Sequence, residues 1–106
     1  MDDSTIAEQK VDFSDLIGKH CVVRTYSAGV HLGTLAAREG TNVLLQDARR
    51  LWKWNGAFTL SEVATTGISK SGSRIAAAVP LMELTQAVEI IPTTEAARDT
   101  FERVHE

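Results

Sequence analysis

The chain is short of almost everything that marks a specialised class. It has one cysteine in 106 residues and no apolar run long enough to cross a bilayer. A lone cysteine forms no internal disulfide, which removes the stapled secreted scaffolds and favours a cytosolic setting. Cys21 stands inside an apolar run and reads as a small buried hydrophobe. The opening MDDSTIAEQK is acidic and polar, which excludes a signal peptide.

Chemical signatures are missing as well. His20, His31 and His105 have no His or Cys partner at metal-ligand spacing, so no metal site is expected. Ser14, Ser27 and Ser61 lie outside any G-x-S-x-G context, and no loop has P-loop spacing. No pair of carboxylates is set for acid–base work. The expectation is a protein with no catalytic residues and no cofactor.

What is present begins with charge. Residues 1–15 carry five acids and one lysine, and residues 93–106 carry four acids and two arginines. Between them stand eight Lys/Arg against five Asp/Glu, so a mildly basic body lies between acidic ends. That balance admits a phosphate-bearing ligand but is thin for a long duplex.

Hydrophobic pattern and turn signals predict a mainly β domain. Residues 1–11 lack periodicity and read as a mobile acidic tail. DFSDLIGKH predicts a short N-terminal helical turn ended by Gly18, and strands follow in CVVRTYS, VHLGTLAARE and the long NVLLQDARRLWKW, which may bend midway. Asn55-Gly56 is a two-residue hairpin signal, and Thr59 or Ser61 can cap a turn in TLSEVATTG. SKSGS reads as a flexible loop, RIAAAV as a strand interrupted by Pro80, and AVEIIP as the last strand. After Pro92 a helix is predicted, capped by Thr93 or Thr94, with Ala97, Phe101 and Val104 as its apolar stripe. The expected division is a tail over 1–11, a β-barrel domain over 12–92 and a C-terminal helix over 93–106.

Two stretches stand out as binding candidates. In QDARRLWKWNGAFTL, strand alternation puts Arg50, Trp52 and Trp54 on one face and Arg49, Leu51 and Lys53 on the other. Tryptophan offers a π-face for stacking and arginine meets phosphate, while the same residues are enriched where subunits meet. In SKSGSR, Lys70, Ser71, Ser73 and Arg74 surround a flexible glycine and form a candidate phosphate cradle. Asp47 is placed to orient Arg49 or Arg74.

The segment DLIGKHCVVRTYSAGVHLGTLAAREGTNVLLQDA resembles an Sm-like, SH3-like barrel domain, with Gly29, Gly33 and Gly40 allowing the bends that close a short barrel. That resemblance implies single-stranded RNA binding through the loop residue Asn42. GVHLGTL, DARRLWKWNGAFTLSE, SRIAAAVP and EIIPTTEAA also resemble a family of small phage- and prophage-encoded proteins of unknown function, which implies a viral origin and a cytoplasmic place in the infected bacterial host.

Three functions follow as expectations. The first is a homo-oligomeric, nucleotide-binding anti-defence protein, sequestering a phosphorylated immune signal such as a nucleotide or cyclic oligonucleotide. The second is an Sm-like RNA binder. The third is a virion structural or host-protein-binding protein. No membrane partner is expected.

Overall fold

A computed structural model describes residues 13–105. The expected acidic tail lies outside the described residues. A six-stranded antiparallel sheet is built from β1 (His20–Thr25), β2 (Val30–Glu39), β3 (Asn42–Lys53), β4 (Arg74–Ile75), β5 (Val79–Leu84) and β6 (Ala87–Pro92). Two helices accompany it, α1 (Leu60–Thr65) and α2 (Glu95–Glu102). The strands run β4-β3-β2-β1-β6, and β5 pairs with the first half of β3 while β4 takes the second half.

The fold is therefore mixed, and its sheet is open. Among the described residues β5 and β6 each join only one neighbour, so no ladder closes the Sm/SH3-like barrel that the glycine spacing suggested. Nor does an α-helical turn form ahead of β1. Residues Phe13–Leu16 make one tight 3-10 turn, stitched to the sheet where Gly18 N–H donates to the Leu35 carbonyl. The predicted C-terminal helix does form: the Thr94 hydroxyl accepts from Ala97 N–H at 3.1 Å, and Ala97 and Phe101 point inward.

Two cores explain why the sheet is hydrophobic on both faces. Val22, Leu32, Leu51 and Ile75 pack against Val63 and Ala64 of α1 and Ala97 and Phe101 of α2. Cys21, Val23, Leu35, Val43, Leu45 and Leu84 form the other core. Since β1 supplies consecutive residues to both, its Cys-Val-Val run is buried without alternation. Each such side chain contributes about 1.5–3 kcal/mol by leaving water.

One irregularity positions everything that follows. Thr34 pairs with Gln46, yet Leu32 pairs with Arg49, so β3 holds one residue more than β2 across that gap. The surplus is accommodated at Asp47, the sole non-glycine with positive φ (52°) among the described residues. Gly33 lies opposite, and a Cβ there would sit 3.0 Å from the Gln46 carbonyl and 3.3 Å from the Ala48 Cα. The bulge needs a glycine facing it.

The turn after β3 also departs from expectation. Gly56 does turn the chain, but no hairpin strand follows Asn55-Gly56; α1 and a loop intervene before β4. Pro80, read as an interruption, belongs to β5, which ladders only with β3 and so has an edge that needs no N–H donor.

Candidate functional site

Past the bulge, β3 sends alternate side chains to different surroundings. Leu51 lies between Val30 and Ile75 in the ladder and is buried. Arg49 turns to the helix side, where its guanidinium donates to four main-chain carbonyls: Ala76 at 2.8 Å, Val104 at 2.9 Å, Phe101 at 3.2 Å and Ile75 at 3.4 Å. It ties β4 to the last turn of α2, where a cation also suits the helix dipole. Its hydrogen-bonding capacity is largely committed within the fold.

Arg50 and Trp52 face solvent. Arg50 is exposed and its guanidinium makes no hydrogen bond or ion pair among the described residues, and Trp52 remains 58% exposed. Trp54 is half-buried and packs against the helix-side core. Two grooves flank this strand. One, about 430 Å³, is walled by the β1–β2 turn (Ser27, Ala28, Gly29) and lined by Arg50, Trp52 and Trp54. The other, about 330 Å³, has Arg50 and Trp52 with Ala76, Val79 and Met82. Arg50 and Trp52 line both, and no acidic side chain lines either.

The SKSGSR loop lies apart from these grooves. Ser73 is buried and its hydroxyl accepts from Asn55 N–H at 3.0 Å, while Ser69 N–H donates to the Asn55 carbonyl at 2.8 Å. The loop is thus zipped onto the Asn55-Gly56 turn. Lys70, Ser71 and Arg74 are exposed, and Arg74 pairs with Lys53 in the ladder, but none lines the Arg50–Trp52 grooves. Asn42 is elsewhere again, in a groove of about 290 Å³ shared with Glu39 and Glu83. Two carboxylates there oppose a phosphate backbone.

A further groove, about 560 Å³, went unrecognised in the sequence. It lies between α2 and the β4–β5 connection, with His20, Asp47, Arg49, Ala78, Arg98 and Glu102 among its lining. His20 Nδ1 is 2.7 Å from the Thr93 hydroxyl, and the ring is tilted against Phe101 at 6.1 Å. Burial, reinforced by the charge of Arg98, lowers its pKa to about 4, so the ring is neutral near pH 7. These residues are up to 82 positions apart in the chain, and no local signal joins them. Among the described residues no cluster of three or more His, Cys, Asp or Glu can hold a metal ion, and no helix is long and apolar enough to cross a membrane.

Residues 18–101 match the model of a domain of unknown function, DUF6948. The chain belongs to the DUF6948 family. The match spans all six strands, the Arg–Trp strand among them, and the family is uncharacterised. No curated protein matches the chain. Membership corrects the expected ancestry, because it carries no phage or prophage origin, and the open sheet removes the Sm-like resemblance. Neither the family nor the open sheet supplies support for the expected phage, nucleotide-binding or anti-defence roles.

Proposed function

We propose that this protein is a non-catalytic binding module for a small planar ligand carrying negative charge, a phosphorylated aromatic being the plain example. The observation that carries this reading is the composition of the two grooves beside β3. Among the described residues their one charged side chain is Arg50, which has no hydrogen-bond or ion-pair partner there, and it neighbours an indole left 58% exposed. A cation free of acidic neighbours attracts an anion, and an exposed indole stacks on a flat ring. The other grooves offer mixed charge: Glu39 and Glu83 beside Arg38, and Asp47 and Glu102 beside Arg49 and Arg98.

The test is calorimetric titration with 2-naphthyl phosphate. Wild-type protein is expected to bind, and Arg50→Ala and Trp52→Ala to weaken binding about tenfold or more, with unchanged denaturation midpoints. Failure of the wild type to bind, or variants that bind as well as wild type, would sink the reading.

A second reading is self-association. Trp52, Val79 and Leu81 are exposed at 58%, 39% and 58%, and they belong to the adjacent strands β3 and β5. Apolar side chains so arranged suit contact between copies. Sedimentation should then show an oligomer that Leu81→Glu converts to monomer; a monomeric wild type rejects this second reading.

A further inference from the structure

Among the described residues three polar side chains are buried, Thr25, His31 and Ser73, and of these His31 alone keeps a buried atom without a hydrogen-bond partner. It is fully buried on β2, directly across the ladder from Arg50. Its Nε2 is 2.9 Å from the Ala28 carbonyl. A carbonyl only accepts, so Nε2 carries the hydrogen and donates it. The tautomer leaves Nδ1 as a bare lone pair, and that atom is buried with no hydrogen-bond partner. Burial, the largest influence, and the nearby charge of Arg50 both disfavour a proton there, against the pull of the Ala28 carbonyl. An orphaned lone pair in a core is a cost to folding. A leucine would fill such space without it, so the benefit of this histidine must lie at its other nitrogen.

That nitrogen acts on the groove wall. Ala28 belongs to the β1–β2 turn that faces Arg50, Trp52 and Trp54. The same turn is held from below by Thr25, whose hydroxyl donates to the Gly29 carbonyl at 2.8 Å and accepts from Ala28 N–H at 2.8 Å. Ser27 is tied off too, donating to the Gln86 side-chain oxygen at 2.8 Å. Between them His31 and Thr25 engage the Ala28 and Gly29 carbonyl oxygens of the turn. An unengaged carbonyl beside the ligand would repel an anion and welcome a hydrogen-bond donor.

We propose that His31 is a specificity-determining positioning residue of the Arg50–Trp52 groove: by holding the Ala28 carbonyl, it removes that free acceptor from the wall and so selects an anionic ligand over a neutral one. The inference rests on the binding reading above. It differs from that reading in assigning the selectivity to a buried residue that never touches the ligand.

The experiment compares the affinities of two probes, 2-naphthyl phosphate and neutral 2-naphthol, by calorimetry. Wild type is expected to prefer the phosphate. His31→Leu should shrink that preference several-fold, through weaker phosphate binding and stronger naphthol binding together. A variant that had merely loosened would lose both probes. His31→Gln, which keeps an N–H in reach of the carbonyl, should restore much of the preference. If His31→Leu does not fold, His31→Met, which also lacks an N–H for the Ala28 carbonyl, takes its place and should move the ratio the same way. Should the wild type bind neither probe, the binding reading falls and takes this inference with it. Should the wild type bind with preference, while the folded variants among these keep that preference unchanged, the binding reading stands and the role of His31 is overturned.

Discussion

Arg49 and Arg50 are neighbours in sequence with opposite fates, and the difference is set by which side of β3 each occupies. The guanidinium of Arg49 donates to four carbonyls from β4, the following residue and the end of α2. Hydrogen bonds from a charged donor contribute more than neutral ones, and losing this donor strands several carbonyls at once. Arg49→Met should lower unfolding free energy by about 2–4 kcal/mol in urea denaturation, whereas Arg50→Met should leave it nearly unchanged. The paired histidines give a pH signature. His20 titrates near 4 in the fold against 6.5 as its ordinary value, and His31 is lowered as well, both chiefly by burial. A base whose folded pKa is depressed binds protons first in the unfolded chain, so its stabilising effect is complete above about pH 6.5 and is lost as pH falls toward 4. Denaturation midpoints measured across that window should fall on acidification, and His20→Gln should flatten the slope. The sequence alone showed three histidines without metal partners; it could not show that His31 is buried and His20 half-buried.

At the scale of elements, caps were legible and irregularities were not. Thr94, Glu95 and the Ala97–Phe101–Val104 stripe announce α2 because capping and helical periodicity are local. Removing the cap hydroxyl by Thr94→Ala should cost about 0.5–2 kcal/mol, read as a drop in thermal midpoint; a slightly larger loss is natural because that hydroxyl also donates to the Thr65 carbonyl of α1 at 2.6 Å. α1 follows the same logic, with the Thr59 hydroxyl accepting from Glu62 N–H at 3.1 Å. β5 was missed because a strand containing Pro80 looks broken until its neighbour is known. Once β3 is its sole partner, the proline lies on an edge and no ladder bond is lost. The Asp47 bulge was hinted at only as a bend in a long strand, since its cause is a register mismatch with β2 rather than any local signal.

For the molecule as a whole, the helices and the sheet are held at a close approach that a single glycine permits. Gly67 is buried after α1 with φ +88°, and a Cβ there would collide with the side chain of Thr100 on α2. Thr100 in turn accepts from Ile68 N–H at 3.1 Å. Gly67→Ala therefore combines backbone strain with a clash between two helices, and it should destabilise by about 2 kcal/mol or more in chemical denaturation. A wild-type midpoint in that variant would mean that the helix pair does not contribute to the core as described. The same assembly decides where binding can occur. It gathers Arg50, Trp52 and Trp54 against a turn 21 or more residues earlier, and it sends Lys70, Ser71, Ser73 and Arg74 to a loop packed on Asn55. Two motifs that looked like parts of one phosphate site in the linear chain are separate surfaces.

Local chemistry by itself determined the capped terminal helix, several of the strands, and the strand that carries the arginines and tryptophans. Those features depend on residues within a few positions of one another, which is the range over which capping, periodicity and alternation act. Tertiary structure alone decided that the sheet stays open, that Arg49 holds the fold while Arg50 faces solvent, and that His31 lies under the groove wall. Each of these turns on strand pairing between segments far apart in the chain, and register is a property of two partners that neither strand encodes alone.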